Sequence, residues 1–215
     1  MRTATAPDPA ALDGPRLPPE ARAFVEAIGA RDRELRAHCG AVARYAVVVA
    51  RWIGVEPRAR ADLPSASLLH DVGKLAISER ILSKPGPLTP AERAAVRAHT
   101  RIGARLVARV PALRGIAPAI LHHHERWDGL GYPERLGGEE IPVEARIIGV
   151  VDAFAAMLAD RPYRRARSFE EACEELERCA GTQFDPTIVR VFVAVVRGDD
   201  RRGAASAGLR RPGRP

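Results

Sequence analysis

Apolar residues recur along the middle of the chain at the three-to-four spacing of a helix face. Leu35, His38, Val42, Tyr45, Val49 and Trp52 share one such face, and Gly54 stands where that helix would end. Asp62 is placed to cap the next helix, with Pro64 in the first turn, where a missing N–H costs nothing. Thr89-Pro90-Ala91-Glu92 is a capping box with proline at the first helical position, and predicts one helix running to about Arg109. Pro142 starts a helix that buries Val143, Ile147, Val150, Val151, Phe154 and Leu158. Ser168-Phe169-Glu170-Glu171 is a second capping box, with Gly181 closing its helix. Asp185-Pro186 opens the last helix, which stops near Gly198. No run alternates with period two over a strand length, so the expected fold is all-α, a single-domain helical bundle.

The two ends read differently. Residues 1–19 carry Pro7, Pro9, Pro15, Pro18 and Pro19 and predict a disordered leader; residues 198–215, rich in Arg, Gly and Pro, predict a disordered tail. The folded domain is expected over 20–197. A chain of 215 residues can close one hydrophobic core, and with aromatics at 5% that core must be built from Ala, Val, Leu and Ile. The net charge of +7 raises the possibility of a nucleic-acid partner. Lys74 and Lys84 are the only lysines, however, and the arginines are scattered rather than gathered into a patch. No stable nucleic-acid complex is expected, and the same positive field favours a small anionic substrate.

Cys39, Cys173 and Cys179 form no disulfide framework or zinc knuckle. No basic start followed by an apolar run marks a secretory signal. The most apolar stretch, Val42 to Val55, is too short to span a bilayer and is interrupted by Arg44 and Arg51. The expectation is a cytoplasmic protein without membrane insertion.

The chemistry gathers in the histidines at 38, 70, 99, 122, 123 and 124. A single helical histidine is more often packed or solvated than a ligand. These keep specific company: Asp71, Gly73 and Lys74 follow His70, Glu125 follows the His123-His124 pair, and Asp152 lies on the next helix. Imidazole with carboxylate suits borderline transition metals, and one carboxylate with two oxygens can bridge two cations.

His70-Asp71-Val72-Gly73-Lys74 resembles the signature of the HD metal-dependent phosphohydrolases, and HHERWDGLGYP, His123 to Pro133, resembles the defining motif of the HD-GYP subfamily. Segments around Ser83–Thr89, His99–Ala104, Glu140–Ile147, Asp152–Phe154, Arg161–Arg164 and Gly181–Pro186 extend the likeness over roughly 34–195. The resemblance implies an HD-type bundle with a GYP loop and a metal-dependent phosphodiesterase acting on a cyclic dinucleotide. Cyclic di-GMP is the implied substrate, opened to pGpG or GMP by a hydroxide shared between metals.

His38, His70, Asp71 and Asp152 are the implied ligands of one metal, and Asp71 bridges to a second held by His99, His123 and His124. Glu34, one helical turn before His38, is the candidate ligand of a third, against the alternative of a solvated charge at a helix start. Two or three divalent ions are implied, with Fe or Mn favoured. Lys74, Arg161 and Arg164 are the candidates for substrate phosphate, with Asp71 and Lys74 catalytic, and Tyr132 lines the mouth. His122 has no counterpart in the motif, and Trp127 reads as a packing residue. One departure stands out: the family usually has a second Asp three residues after the one matched by Asp152, and this chain has Ala155. Two alternatives are an HD-type hydrolase of another nucleotide or cyclic dinucleotide, and a catalytically weak module that senses a dinucleotide or docks a signalling protein.

Overall fold

Prolines and acidic caps set most of the helix starts. In the computed structural model, which describes residues 17–159 and 165–198, Pro19 opens α1, Pro19–Arg31. The expected leader therefore ends before Pro19; residues 1–16 and the tail beyond 198 lie outside the described residues. Asp32 terminates α1 and caps α2, Arg33–Trp52, its carboxylate accepting the Leu35 N–H at 2.9 Å. The helix α3, Pro57–Leu69, begins five residues before the expected cap at Asp62. Pro57 takes the first helical position, and Pro64 lies inside the helix. The lost N–H bond at Pro64 is offset by burial of Leu63, Ala66 and Leu69.

A 3-10 turn, Val72–Ala76, follows α3, and then come α4, Glu79–Leu82, and α5, Pro90–Arg97. The Thr89 capping box forms as expected, with Glu92 N–H on Thr89 Oγ1 and Thr89 N–H on the Glu92 carboxylate. The single helix expected to Arg109 is instead two, breaking at Ala98 before α6, His99–Ala108. His99 Nδ1–H donates to the Val96 carbonyl at 2.6 Å and Thr100 Oγ1–H to the Arg97 carbonyl at 3.2 Å. Side chains thus occupy acceptors that a continuous helix would use.

Next are α7, Ala117–His122, after the 3-10 turn Pro111–Ile116, and α8, Val143–Leu158, after the GYP loop. The last two are α9, Phe169–Arg178, with its Ser168 capping box, and α10, Pro186–Val196, capped by Asp185. Among the described residues there is no strand, only an isolated bridge between Ala180 and Phe184.

The centre of the bundle is α2 packed against α3 and α8, with α6 laid on α7 and on the Val72–Ala76 turn. Ala46, Val49, Ile147, Val150, Val151 and Phe154 have no exposed surface. Phe154 meets Tyr45, Phe169 and Phe192 edge-on, with centroids 4.8–5.6 Å apart, concentrating the chain's scarce aromatics at one point. The effect is to fix the ends of α3, α6 and α7 and the middle of α8 around one buried polar spot. No described helix is long and apolar enough to cross a membrane.

Candidate metal centre

Seven of the eight expected ligands converge on that spot. Ligand atoms of Asp71, His99, His123 and His124 lie within 4.8 Å of one another, and so do those of His38, His70 and Asp152. Asp71 joins the two sets: Oδ2 is 3.4 Å from His70 Nε2, and Oδ1 is 3.3 Å from His99 Nε2. His38 Nε2 sits 2.8 Å from Asp152 Oδ1, and His70 Nε2 is 3.8 Å from the same oxygen.

Backbone carbonyls orient three of the rings. His70, His99 and His123 each turn Nδ1 onto the carbonyl three residues earlier, of Ser67, Val96 and Ile120, at 2.6–2.8 Å. A carbonyl only accepts, so Nδ1 carries the hydrogen and Nε2 presents its lone pair inward. Two inward atoms, His70 Nε2 and Asp71 Oδ1, are buried with no hydrogen-bond partner. Orphaned buried polar atoms are costly, and borderline N and O donors of this kind are what a divalent transition metal takes. The residues present fit the implied metal.

The electrostatics agree with that donor role for His99, His123 and His124. His70 differs: burial would lower it, but the Asp71 carboxylate beside it overrides burial and raises it well above the ordinary imidazole value. Burial holds His123 well below the ordinary imidazole value, with His124, His70 and His99 pushing the same way. Burial also lowers His99, and brings His124 down to about 4. These rings are neutral near pH 7, as metal ligands must be. Burial would raise Asp71, but Lys74 and His70 outweigh it and hold the carboxylate well below its usual range. Burial likewise opposes ionisation of Asp152, and the His38 hydrogen bond with the His70 charge overrides it.

Glycine brings Asp71 to this point. A Cβ on Gly73 would lie 2.0 Å from the His99 carbonyl oxygen and 2.7 Å from the Gly103 nitrogen, so the Val72–Ala76 turn rests directly on α6. On the turn's other side, the Arg31 guanidinium donates to the carbonyls of Lys74, Leu75 and Ile77, at 3.3 Å for Lys74 and 2.6 Å for Ile77. Lys74 Nζ then reaches Asp71 Oδ2 at 2.6 Å. Nothing in the local sequence around His70 marks Arg31, because it is distant in sequence and acts on backbone.

The GYP loop closes one side. Glu125, buried, accepts the N–H of Glu134 at 2.6 Å and of Arg135 at 3.1 Å. Asp128 takes a two-pronged bond from Arg126, at 2.9 and 2.6 Å. A side chain on Gly131 would strike the Arg126 nitrogen at 2.4 Å, so that turn admits only glycine. The loop delivers the Tyr132 ring to within 5.0 Å of the His124 ring, and burial keeps the phenol protonated well above its ordinary range.

The remaining candidates fall elsewhere. Glu34 is exposed in the first turn of α2 and belongs to none of the ligand groups found among the described residues. His122 is buried beside Glu125 and Glu134, at 3.8 Å from each carboxylate. Trp127 is half-buried, with the Arg146 guanidinium 5.7 Å over its ring. Ala155 lies in the hydrophobic core cluster. Cys39, not singled out in the sequence, is buried within ligand distance of His70 and Asp71. Arg161 and Arg164 lie outside the described residues.

The fold and the site together define a helical bundle that gathers a histidine–aspartate cluster able to hold metal at its core. A family model described as HD domain matches residues 11–188. The chain belongs to the HD domain family. It is 40% identical over 165 residues to a cyclic di-GMP phosphodiesterase of Thermotoga maritima, covering 76% of this chain and 45% of that protein. It is 39% identical over 172 residues to a 3'3'-cGAMP-specific phosphodiesterase of Vibrio cholerae, covering 79% of this chain and 33% of that protein. The chain thus spans less than half the length of these relatives. In fold it is similar to an HDG"Y"P protein of Bdellovibrio bacteriovorus, with a TM-score of 0.61 at 19% identity, covering 83% of this chain and 61% of that one.

Proposed function

We propose that this chain is a metal-dependent phosphodiesterase that hydrolyses a cyclic dinucleotide, cyclic di-GMP first among them, to pGpG or onward to GMP. The observation that carries the reading is the pair of ligand sets joined by Asp71, with unpartnered inward atoms on both His70 and Asp71. Two or three divalent ions, Fe or Mn, held by His38, His70, Asp71, Asp152, His99, His123 and His124, would act as Lewis acid on a phosphoryl oxygen and lower the pKa of a water. Glu34 is the proposed contributor to a third ion.

The chain's own residues supply the rest. Asp71 keeps the two ligand sets at a fixed separation, and Lys74, salt-bridged to it, adds positive charge where the phosphoryl oxygens gain negative charge. The Tyr132 phenol, kept protonated, offers an O–H to a phosphate or ribose oxygen, and its ring walls the site from water. Arg161 and Arg164 are proposed to meet substrate phosphate with their planar donor forks. A nucleotide substrate implies the cytoplasm as the place of action, and a signalling protein as a partner.

The likeness to the Vibrio cholerae enzyme favours 3'3'-cGAMP as a second substrate. The test is hydrolysis by protein purified without oxygen and reloaded with Fe²⁺ or Mn²⁺, with products separated by chromatography. Metal-dependent conversion of cyclic di-GMP to pGpG or GMP is expected, abolished by chelator. Preference for 3'3'-cGAMP would transfer the assignment to that substrate. Absence of turnover on both, in a protein that binds them, would make this a sensing module.

A further inference from the structure

The cations around the metal centre differ in what they already hold. Lys74 is salt-bridged to Asp71, and Arg101 pairs with Glu134 at 3.6 Å and donates to the Pro133 carbonyl at 3.2 Å. Arg97, the last residue of α5, has its guanidinium over the Tyr132 ring, 4.9 Å from the centroid, and no carboxylate partner among the described residues. On the ring's other neighbour, His124, the separation is 5.0 Å with a 30° tilt. Arg97 is therefore an exposed, un-neutralised cation one aromatic ring away from a metal ligand.

That posture leaves the useful part of the side chain unspent. A guanidinium over an aromatic face is held there by the ring's quadrupole and has five N–H donors in a planar fork, more than that one contact can use. Those in-plane donors match the oxygens of a phosphate. A cyclic dinucleotide carries two phosphodiesters, and only one can be opened at the metals. The other keeps its charge and must find a cation or pay for lost solvation.

We propose that Arg97 anchors the second, uncleaved phosphate of the cyclic dinucleotide, held in position by stacking on Tyr132. The proposal rests on the functional reading above. It makes Arg97 a residue that distinguishes a two-phosphate substrate from a single phosphodiester. Contact with a group that does not react stabilises ground and transition states alike, so its loss raises KM and leaves kcat in place.

The test compares Mn²⁺-loaded wild type with Arg97→Ala and Arg97→Lys on cyclic di-GMP and on bis(p-nitrophenyl) phosphate, which has one phosphodiester. For the cyclic dinucleotide, Arg97→Ala should raise KM by about tenfold to hundredfold, with partial recovery in Arg97→Lys. The KM ratio between the two substrates should change by the same factor. Arg51→Ala, about 20 Å along α2 from His38, removes one positive charge elsewhere and should leave that ratio alone.

A second readout needs no turnover: the calorimetric Kd of a hydrolysis-resistant phosphorothioate analogue of cyclic di-GMP for the Mn²⁺-loaded chain should weaken by a similar factor in Arg97→Ala. An unchanged Kd overturns the proposal whether or not the wild type cleaves this substrate. Equal KM increases on both substrates, or a fall in kcat on both, also overturns it, because Arg97 would then act through Tyr132 or the metals. Tight Arg97-dependent binding without hydrolysis would support the anchor while removing the phosphodiesterase reading. No binding of cyclic di-GMP by the wild type would overturn both.

Discussion

Gly73→Ala tests how the protein keeps Asp71 and His99 in one centre. The added methyl carbon would sit 2.0 Å from the His99 carbonyl oxygen, whereas ordinary contact begins at 3.4 Å, so the turn and α6 must separate by about 1.4 Å. The obstructing atoms are backbone on both sides, leaving no flexible side chain to swing away. Asp71 lies two residues before Gly73, and the displaced turn of α6 carries His99 itself, now 3.3 Å from Asp71. Metal–ligand distances tolerate only about 0.2 Å, so a shift of this size exceeds what the site can absorb.

Overpacking of this kind costs about 1–3 kcal/mol, and a chain of this length loses about 2–4 °C of Tm per kcal/mol. The assay is bound Mn²⁺ by mass spectrometry after dialysis, alongside thermal unfolding. Gly73→Ala should lose metal and melt lower. Gly40→Ala is the control: its nearest atom would be at 3.7 Å, on the flexible Arg44 side chain, and helix propensity favours alanine. It should retain all metal and melt no lower than wild type. A Gly73→Ala protein with full metal content and wild-type Tm would refute the close-contact argument.

Two other variants probe the supports of the site. Arg31→Ala removes the donor to the Lys74, Leu75 and Ile77 carbonyls, and should lower kcat by about tenfold with metal content unchanged, by freeing Lys74 rather than a ligand. Wild-type kcat in that variant would show that the turn is held without Arg31; loss of metal would show that Arg31 fixes the ligand Asp71 and not Lys74 alone. Glu125→Ala leaves the Glu134 and Arg135 amides without their buried acceptor, at about 1–3 kcal/mol each. Amide exchange over residues 130–136 should then accelerate; exchange at the wild-type rate would mean that the loop is held by its other contacts.

The parts of the fold legible in the sequence were those with local causes. The Thr89 and Ser168 boxes, the Asp185 cap and the apolar face of α8 all act within a few residues, and all appear where their patterns predict. The break at Ala98 was not legible, because neither glycine nor proline marks it. It arises where His99 and Thr100 turn their side chains back onto the preceding backbone, and only the tertiary site requires His99 to do so. Pro64 misled for a related reason: burial along α3 outweighs the local penalty that made a later start attractive.

At the site, the ordered His and Asp residues pointed to a metal, and seven of them do converge. Their second neighbours were invisible. Arg31 acts through backbone carbonyls 43 to 46 residues away, and Arg97 is one arginine among many until Tyr132 is seen beneath it. Glu34 shares a helix with His38, but it is exposed in the first turn of α2 and stands apart from the converged ligand groups, so its part in a third ion rests on the resemblance alone.

The central claim is that Asp71 makes one centre of two ligand sets. Its most direct test is the number of Mn²⁺ ions bound per chain by wild type and by Asp71→Ala, at equal free metal under anaerobic dialysis. The account predicts at least two for the wild type and fewer than one for Asp71→Ala, because each set loses a shared anionic ligand. A wild type that saturates at one ion, or an Asp71→Ala variant that keeps the full complement, would contradict it.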